Sequence, residues 1–317
     1  MSSNITAVLS DIPGGLYIVV VGYSLSTILS TCICIIIIGL ISITRNLRSP
    51  TNLLISNTCL CTLFFSTIAT CNTILYYINW LTTDWSCRVQ GYLTYVSICL
   101  VVYSYVIQAI SRLSWTVFYQ YRCLLTLKFH MYMTLVQILF SFLFPLSTLI
   151  TTHIVYRPFR LCLVPSQYKI HTFSLIGIVY IVPILIVCVL YIIIYRHTRN
   201  SSQKVHRSTK ISKRDAELAR NIIILFAIFI FSGVPASLYT IISTNTPTMS
   251  TGFYFFSIMT PPISLVIEKI ATIILSREIR NTFKQRWITC LSVSTRVEHF
   301  SSSNAKNNNK MNLTDKQ

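Results

Sequence analysis

Long stretches without a charged side chain are the feature that most constrains this 317-residue sequence. Each of six such stretches can supply the roughly 20 apolar residues that cross a bilayer. The last, residues 221–267, contains a polar turn with a proline at residues 244–250 and therefore splits into two. The pattern predicts seven membrane spans, at about 16–43, 52–79, 88–117, 131–152, 171–195, 216–243 and 251–274.

Composition and periodicity indicate that these spans are helices. Only 11% of the residues are charged and 53% are hydrophobic, whereas roughly a quarter of the residues of a soluble domain are charged. Backbone amide groups find no water in hydrocarbon, so only helices and closed barrels cross it. The stretches lack the strict apolar/polar alternation of barrel strands. We therefore expect an all-α membrane protein, a seven-transmembrane helix bundle.

The distribution of basic residues predicts the orientation of the bundle. Of the 26 Lys and Arg residues, 22 follow the odd-numbered spans and four lie on the other side. By the positive-inside rule, the amino terminus is outside and the carboxyl terminus is cytosolic. The formal charge of +18 is therefore mainly a topology signal, with some attraction to anionic lipid of the inner leaflet. It does not indicate nucleic-acid binding.

The two ends of the chain are short. Residues 1–15 form the expected extracellular amino terminus, which shows no signal-peptide pattern and carries a glycosylation sequon at Asn4, a motif short enough to occur by chance. Residues 16–288 form the expected helix bundle with a short amphipathic helix at its end, and residues 289–317 form a tail rich in Ser, Asn and Lys that we expect to be disordered. Cys290 is a candidate for palmitoylation.

Two of the eleven cysteines suggest a covalent link. Cys87 starts the third span and Cys162 stands alone in the loop between the fourth and fifth spans, so both face the oxidising side. A disulfide between them would tether this loop across the bundle, and the alternative is two free thiols. Seven other cysteines lie inside spans, where a thiol is usually a small buried hydrophobe.

Several short motifs occur at fixed places relative to the spans. They are residues 47–52 (Leu-Arg-Ser-Pro-Thr-Asn), Arg112 after Ser111 and twenty-five residues beyond Cys87, the pairs Pro183 with Tyr191 and Phe229 with Pro235, and an amphipathic segment at residues 276–283. This set resembles the rhodopsin-like (class A) G-protein-coupled receptors over roughly residues 15–288. The matching family features are the LRTPxN loop, the DRY arginine, the Pro–Tyr pair of helix five, the FxxCWxP motif of helix six and a short eighth helix.

The sequence also departs from this family. Ser111 replaces the DRY aspartate, Thr62 stands at the helix-two aspartate of the family's sodium site, and Gly233 replaces the helix-six tryptophan. Where the family has NPxxY in helix seven, this chain has residues 268–272, Glu-Lys-Ile-Ala-Thr. The resemblance therefore implies a divergent member, with altered gating or without signalling.

The resemblance implies a set of switch residues. We expect Arg112 to pair with Asp215, where the family has its ionic-lock acid; the alternative is that Asp215 is a solvated residue that starts helix six. Pro183 and Pro235 remove backbone hydrogen bonds. The remaining expected switch residues are Val102 and Phe229, in a packing switch between these prolines, and Tyr191, which turns inward to meet Arg112 when helix six moves outward.

Glu268 and Lys269 are an adjacent acid and base inside a span. Ionisable groups within a membrane are functional candidates. Because neighbouring side chains on a helix point about 100° apart, we expect the two not to pair, with Glu268 facing the bundle and Lys269 reaching the interface. Glu268 then substitutes for the carboxylate missing at Thr62. If the helix ends early, both residues are merely interfacial.

The family's ligand cavity implies a lining of apolar and hydroxyl side chains. Thr94 stands where amine receptors have an aspartate, and Pro262 stands where retinal proteins have their lysine, so we expect neither an amine ligand nor a retinal cofactor. A peptide or a small neutral molecule suits such a lining. The expected lining residues, each equally compatible with ordinary helix packing, are Thr94, Tyr95, Ile98, Tyr180, Ser237, Thr240 and Ile258.

The resemblance implies partners on the cytosolic side. Phe118 and Tyr119 in the second inner loop would contact a heterotrimeric G protein, together with Arg112. Serines and threonines of the tail would be phosphorylated by a receptor kinase and recruit arrestin. The main alternative class is a transporter or channel, but the sequence has no repeated half and one intramembrane charged pair. No catalytic or zinc-binding cluster is evident, so we expect no enzyme.

Overall fold

The computed structural model describes residues 13–44, 49–77, 84–151, 154, 162, 164, 168–204, 209–243, 251–276 and 278–285. Within these ranges, the side chains of residues 13–19, 75–77, 84, 198–204, 209–222, 226, 229, 243 and 251 are outside the description. The chain divides into two compact units, residues 1–272 and 273–317.

All regular structure in the described residues is helical. The helices are α1 (Pro13–Ile43), α2 (Pro50–Tyr77), α3 (Asp84–Thr116), α4 (Leu127–Leu143, continued by Leu146–Ile150), α5 (Lys169–Ile176, a π turn Gly177–Ile181 and Val182–Lys204), α6 (Thr209–Ser243), α7 (Thr251–Leu275) and α8 (residues 278–285). A short 3-10 helix, Arg122–Leu125, precedes α4. Seven of these helices are long and apolar enough to cross a membrane, which confirms the seven predicted spans.

The helices form although their sequences are rich in β-branched residues. In hydrocarbon, the cost of an unpaired backbone amide outweighs the weak intrinsic preference of Ile and Val for strands. Hydroxyl side chains are satisfied in the same way: Thr58, Thr62 and Thr70 each donate to the backbone carbonyl four residues earlier, at 3.1, 2.9 and 2.8 Å. These three hydroxyls therefore need no water.

Helix α3 lies at the centre of the first unit. Its residues contribute to three buried clusters: one with α2 and α7, one with the segment between α4 and α5, and one with the middle of α5. By contrast, α4 and α5 present rows of exposed large apolar side chains, as expected of surfaces that contact lipid. The core of the bundle is therefore organised around α3.

Caps and prolines explain where the helices differ from the predicted spans. The hydroxyl oxygen of Thr126 accepts the N–H of Phe129 at 3.3 Å, so α4 begins at Leu127 rather than near residue 131. Helix α4 is interrupted at Pro145. A π turn directly precedes Pro183, and in it the N–H of Val182 bonds to the carbonyl of Gly177. Pro235 lies inside the continuous α6.

Candidate functional site

A disulfide joins α3 to the segment between α4 and α5. Cys87 and Cys162 are 75 residues apart in sequence, and their Cα atoms are 5.4 Å apart. The predicted disulfide is thus confirmed, and the alternative of two free thiols is not. We call this the disulfide end of the bundle, and we call the end that carries Arg112 the arginine end.

The linked segment lies directly on α3. One turn after Cys87, a Cβ atom on Gly91 would be 2.6 Å from the carbonyl oxygen of Cys162. One turn further, the hydroxyl oxygen of Tyr95 accepts the N–H of Val164 at 3.1 Å. Cys87, Gly91 and Tyr95 therefore form a stripe, spaced by four residues, that contacts the described residues Ile154, Cys162 and Val164 of this segment. Sequence reasoning missed Gly91, although its spacing from Cys87 was a usable signal.

The other expected ligand residues lie on four helices. Thr94 accepts a hydrogen bond from the Asn72 side chain at 3.0 Å and donates to the carbonyl of Gln90 at 2.9 Å. Ile98 is half-buried between the cluster that α3 forms with α2 and α7 and the cluster that it forms with the segment between α4 and α5. On α6 and α7, Ser237, Thr240 and Ile258 are half-buried, and Thr240 also donates to the carbonyl of its own helix at Ala236, at 2.7 Å.

Three amide side chains tie α2, α3 and α4 together inside the membrane. Asn57 on α2 donates to the Gln137 side chain on α4 at 3.0 Å, and Gln137 donates to the carbonyl of Leu100 on α3 at 2.9 Å. Gln108 on α3 donates to the hydroxyl of Thr58 on α2. All three amides are buried. Sequence reasoning missed this network, although amides within a span are a signal of helix–helix contact.

Glu268 and Lys269 form a buried ion pair. The Lys269 ammonium lies 2.6 Å from the Glu268 carboxylate, and the side chains are 1% and 4% exposed, respectively. The expectation that the two do not pair, and that Lys269 reaches the interface, is wrong. Their Cα–Cβ bonds diverge, but the four methylenes of lysine let the ammonium fold back, and a buried charge needs an opposite charge beside it.

The ion pair lies where α1, α2, α3 and α7 meet. Lys269 interacts electrostatically with Tyr105 of α3, Cys59 of α2 and Cys34 of α1. The hydroxyl of Thr272 donates to the Glu268 carboxylate at 3.4 Å and to its backbone carbonyl at 2.9 Å. Thr62 is fully buried, with its hydroxyl on its own helix. Two opposite charges therefore occupy the core of the bundle as a neutral unit.

At the arginine end, a histidine contacts the residue that precedes Arg112. The Nε2 atom of the buried His130 lies 2.8 Å from the Ser111 hydroxyl, and its Nδ1 atom lies 2.9 Å from the carbonyl oxygen of Thr126. Sequence reasoning missed this contact. Arg112 itself is half-buried. The Asp215 side chain lies outside the described residues, so the Arg112–Asp215 pair stays a prediction.

Tyr191 lies on the α5 face that meets α3. Its ring packs in a cluster with Val106, Ala109, Val187 and Ile194. The Tyr191 hydroxyl is buried, interacts electrostatically with Arg112, and has no hydrogen-bond partner among the described residues. The Tyr191 side chain is therefore already directed into the bundle, close to the arginine.

The remaining sequence candidates fall into two groups. In the first, Val102 and Pro183 are buried and Pro235 is half-buried, while Phe118 and Tyr119 are exposed after the end of α3. The second group lies outside the described residues: Asn4, Cys290 and the side chain of Phe229. The packing switch and both modifications therefore stay predictions.

The sequence of this bundle also matches a known family. The pattern described as 7 transmembrane receptor (rhodopsin family) matches residues 33–267, about three quarters of the chain. The chain belongs to the rhodopsin family of seven-transmembrane receptors. Members of this family are multi-pass plasma-membrane proteins that act as signalling receptors. A comparison with curated proteins found no match.

The family match ends one residue before the ion pair. Residues 33–267 include Arg112, Tyr191 and the Cys87–Cys162 disulfide, but not Glu268 or Lys269. In the second compact unit, residues 278–285 are helical, and the Arg280 guanidinium donates to the carbonyl of Ile274 at 2.9 Å. The predicted short eighth helix is thus present.

Proposed function

We propose that the chain is a G-protein-coupled receptor that binds an extracellular ligand and activates a heterotrimeric G protein. In this proposal the disulfide end is extracellular and the arginine end is cytosolic. The excess of Lys and Arg in the loops at the arginine end supports this orientation. The family membership supports the receptor class.

The position of Tyr191 is the observation that carries the proposal: it packs on α3 in the cluster that Leu113, the neighbour of Arg112, also contacts. A buried hydroxyl without a hydrogen-bond partner among the described residues is costly unless another conformation satisfies it. Outward movement of α6 would open the arginine end and let Arg112 meet the carboxyl-terminal helix of the G protein. Asp215 would hold Arg112 in the resting state, and Tyr191 would hydrogen-bond it in the active state.

The ligand enters between the outer parts of the helices in this proposal. Its site lies beneath the segment that the disulfide fixes, with the lining Thr94, Tyr95, Ile98, Tyr180, Ser237, Thr240 and Ile258. Hydroxyls and apolar side chains favour a peptide or a small neutral molecule. The two-way hydrogen bonding of Thr94 supports a fixed position for that side chain.

Glu268 provides the intramembrane carboxylate that is missing at Thr62, with Lys269 as its counter-ion. Its burial among α1, α2 and α3 supports this role. On the cytosolic side, the exposed rings of Phe118 and Tyr119 would contact the G protein. Phosphorylation of the tail by a receptor kinase would recruit arrestin.

The proposal is tested by ligand-independent G-protein activation of the surface-expressed chain. Asp215→Ala should raise the output of one G-protein reporter, because it releases Arg112, and Arg112→Ala should abolish that output. Arg112→Lys should retain a reduced output, since an ammonium keeps the charge but loses the planar fork. Two matched controls should behave as wild type. Glu217→Ala, at the next acidic residue of α6, matches Asp215→Ala. Lys128→Ala, at an exposed cation, matches Arg112→Ala.

The results that would contradict the proposal are specific. If all chains reach the surface equally and every reporter stays silent, the chain is a receptor without signalling or a transporter. If Asp215→Ala and Glu217→Ala give equal output, the proposed resting-state pair is wrong.

A further inference from the structure

A tyrosine of α5 fills a space that a glycine leaves in α6. A Cβ atom built on Gly233 would lie 2.7 Å from Cζ and 2.9 Å from Cδ2 of Tyr180, and closer still to Cε2. Carbon atoms in ordinary contact are about 3.5–4.0 Å apart. Any side chain at residue 233 would therefore displace the Tyr180 ring, and the two residues fit each other as a ring and its slot.

The same tyrosine is anchored to the backbone of α6. Its hydroxyl donates a hydrogen bond of 2.6 Å to the carbonyl oxygen of Ile230, one turn before Gly233. Pro235, two residues after Gly233, cannot donate a backbone hydrogen bond. Tyr180 therefore contacts α6 beside a turn that lacks one of its backbone hydrogen bonds.

The backbone of α5 presents Tyr180 to this slot. Tyr180 lies in the π turn Gly177–Ile181, whose extra residue rotates the side chains before it relative to those after it. Pro183 follows directly, and it has no N–H for a normal helical turn. π turns within α-helices are frequently found at functional sites.

The slot is also connected to the arginine end. The Ile230 side chain packs against the cluster that contains Tyr191, Val106 and Ala109. Ile230 therefore contacts Tyr180 through its carbonyl and the Tyr191 cluster through its side chain. Nearby on α6, Phe231 is 76% exposed, so it takes no part in this contact.

We propose that Tyr180 is a positioning residue that fastens α6 to α5 in the resting receptor, with Gly233 as its slot. Withdrawal of the ring, by a ligand or by a substitution, releases α6 to move outward. This inference rests on the proposed function for its consequence, but the contact itself is independent of signalling.

The first test is a double-mutant cycle read by ligand-independent G-protein activation at equal surface expression. Gly233→Ala and Tyr180→Ala should each raise the output by about fivefold or more, the lower end of usual conformational couplings. The double variant should rise no further than the larger single effect, because both changes break one contact. Gly39→Ala is the matched control, since nothing lies within 4 Å of a Cβ atom at that glycine of α1.

The second test refills the slot. Tyr180→Ala removes a phenol ring, so millimolar p-cresol should lower the raised output of that variant and leave the wild type and Gly233→Ala unaffected. Equal effects of p-cresol on all three chains would overturn the inference, as would additive effects in the double variant.

A thermal unfolding cycle of the same variants in lipid nanodiscs separates the two proposals. Additive shifts of the midpoint would overturn the contact, whatever the signalling results. If the shifts are non-additive but every chain, including the wild type, fails to activate any G protein, the proposed function is refuted. The contact between Tyr180 and Gly233 is then still supported. Non-additive shifts in a chain whose signalling is unaffected by both substitutions would overturn the positioning role.

Discussion

The two sides of the bundle are held together by different interactions. Between α2, α3 and α4, buried amides of Asn57, Gln108 and Gln137 hydrogen-bond side chains and backbone across helices. At α5 and α6, two tyrosine hydroxyls donate to backbone carbonyls of a neighbouring helix: Tyr103 to Ile178 at 2.9 Å and Tyr180 to Ile230 at 2.6 Å. One bond of this kind, from Tyr92 to Phe142 at 2.9 Å, also joins α3 to α4. We infer that the amide side is the fixed frame and the tyrosine side is the moving part.

The physical basis of this difference is the number of hydrogen bonds that each side chain can form. An amide has both donors and an acceptor, so one side chain can bind two helices at once. A tyrosine that donates to a carbonyl makes one such bond. Breaking it frees one donor rather than several, which suits a contact that opens and closes.

The largest expected effect on stability concerns the buried ion pair of Glu268 and Lys269. Lys269→Met removes the ammonium and leaves the Glu268 carboxylate buried without its partner, which should cost about 3–5 kcal/mol. The thermal midpoint and surface expression should fall steeply. In the double variant Glu268→Gln, Lys269→Met, most of the loss should be recovered, because no charge remains buried. If the double variant were as unstable as the single one, the pair would be held by packing rather than by charge.

The next effect tests the disulfide end. Gly91→Ala places a methyl group against the Cys162 carbonyl and Ile154, and such overpacking costs about 1–3 kcal/mol. The segment between α4 and α5 should shift. The thermal unfolding midpoint, measured without ligand, should therefore fall. Gly39→Ala, in open space, should change it little. A Gly91→Ala chain with the wild-type midpoint would show that the segment is not seated on α3.

A smaller effect is expected for the amide network. Gln137→Leu removes its hydrogen bonds to Asn57 and to the Leu100 carbonyl. Interhelical hydrogen bonds in membranes average about 0.6 kcal/mol each, so the free energy of unfolding should fall by about 1–2 kcal/mol. Signalling per receptor at the surface should stay unchanged. A raised basal output would mean that α2, α3 and α4 are not a fixed frame.

The smallest change in stability should accompany a clear change in signalling. Tyr180→Phe keeps the ring in the Gly233 slot and loses one hydrogen bond, for about 0.6 kcal/mol. Basal output should rise, though less than in Tyr180→Ala. Tyr103→Phe loses the bond between α3 and α5 and should lower stability at least as much, because the Ile178 carbonyl lies in the π turn before Pro183, but it should not raise output. Equal output from both variants would remove the distinction between the α5–α6 contact and the α3–α5 contact.

The sequence predicts the spans and the disulfide because each depends on simple physical rules. A charge-free stretch of about 20 residues has few alternatives in a bilayer, and Cys87 and Cys162 stand apart from the cysteines inside spans. The beginning of α4 was harder to predict, because it depends on a cap by Thr126. The break at Pro145 depends on how one proline is accommodated.

The contacts of the site could not be predicted from the sequence, for a different reason. Helical geometry gives the direction of Cα–Cβ bonds but not the path of a flexible chain, so the Glu268–Lys269 pair was mispredicted. The absence of a tryptophan at Gly233 was visible, but the residue that fills the space comes from α5 and depends on a π turn. Gln137 and Asn57 meet only because α2 and α4 both pack on α3.

The most direct test of the account combines the moving contact with the arginine. G-protein activation should be measured for Gly233→Ala, and for Gly233→Ala with Arg112→Ala, at equal surface density. We predict a raised output in one G-protein reporter from the single variant and its complete loss in the double variant. A raised output that survives the loss of Arg112, or silence of the single variant in every reporter, would contradict the account.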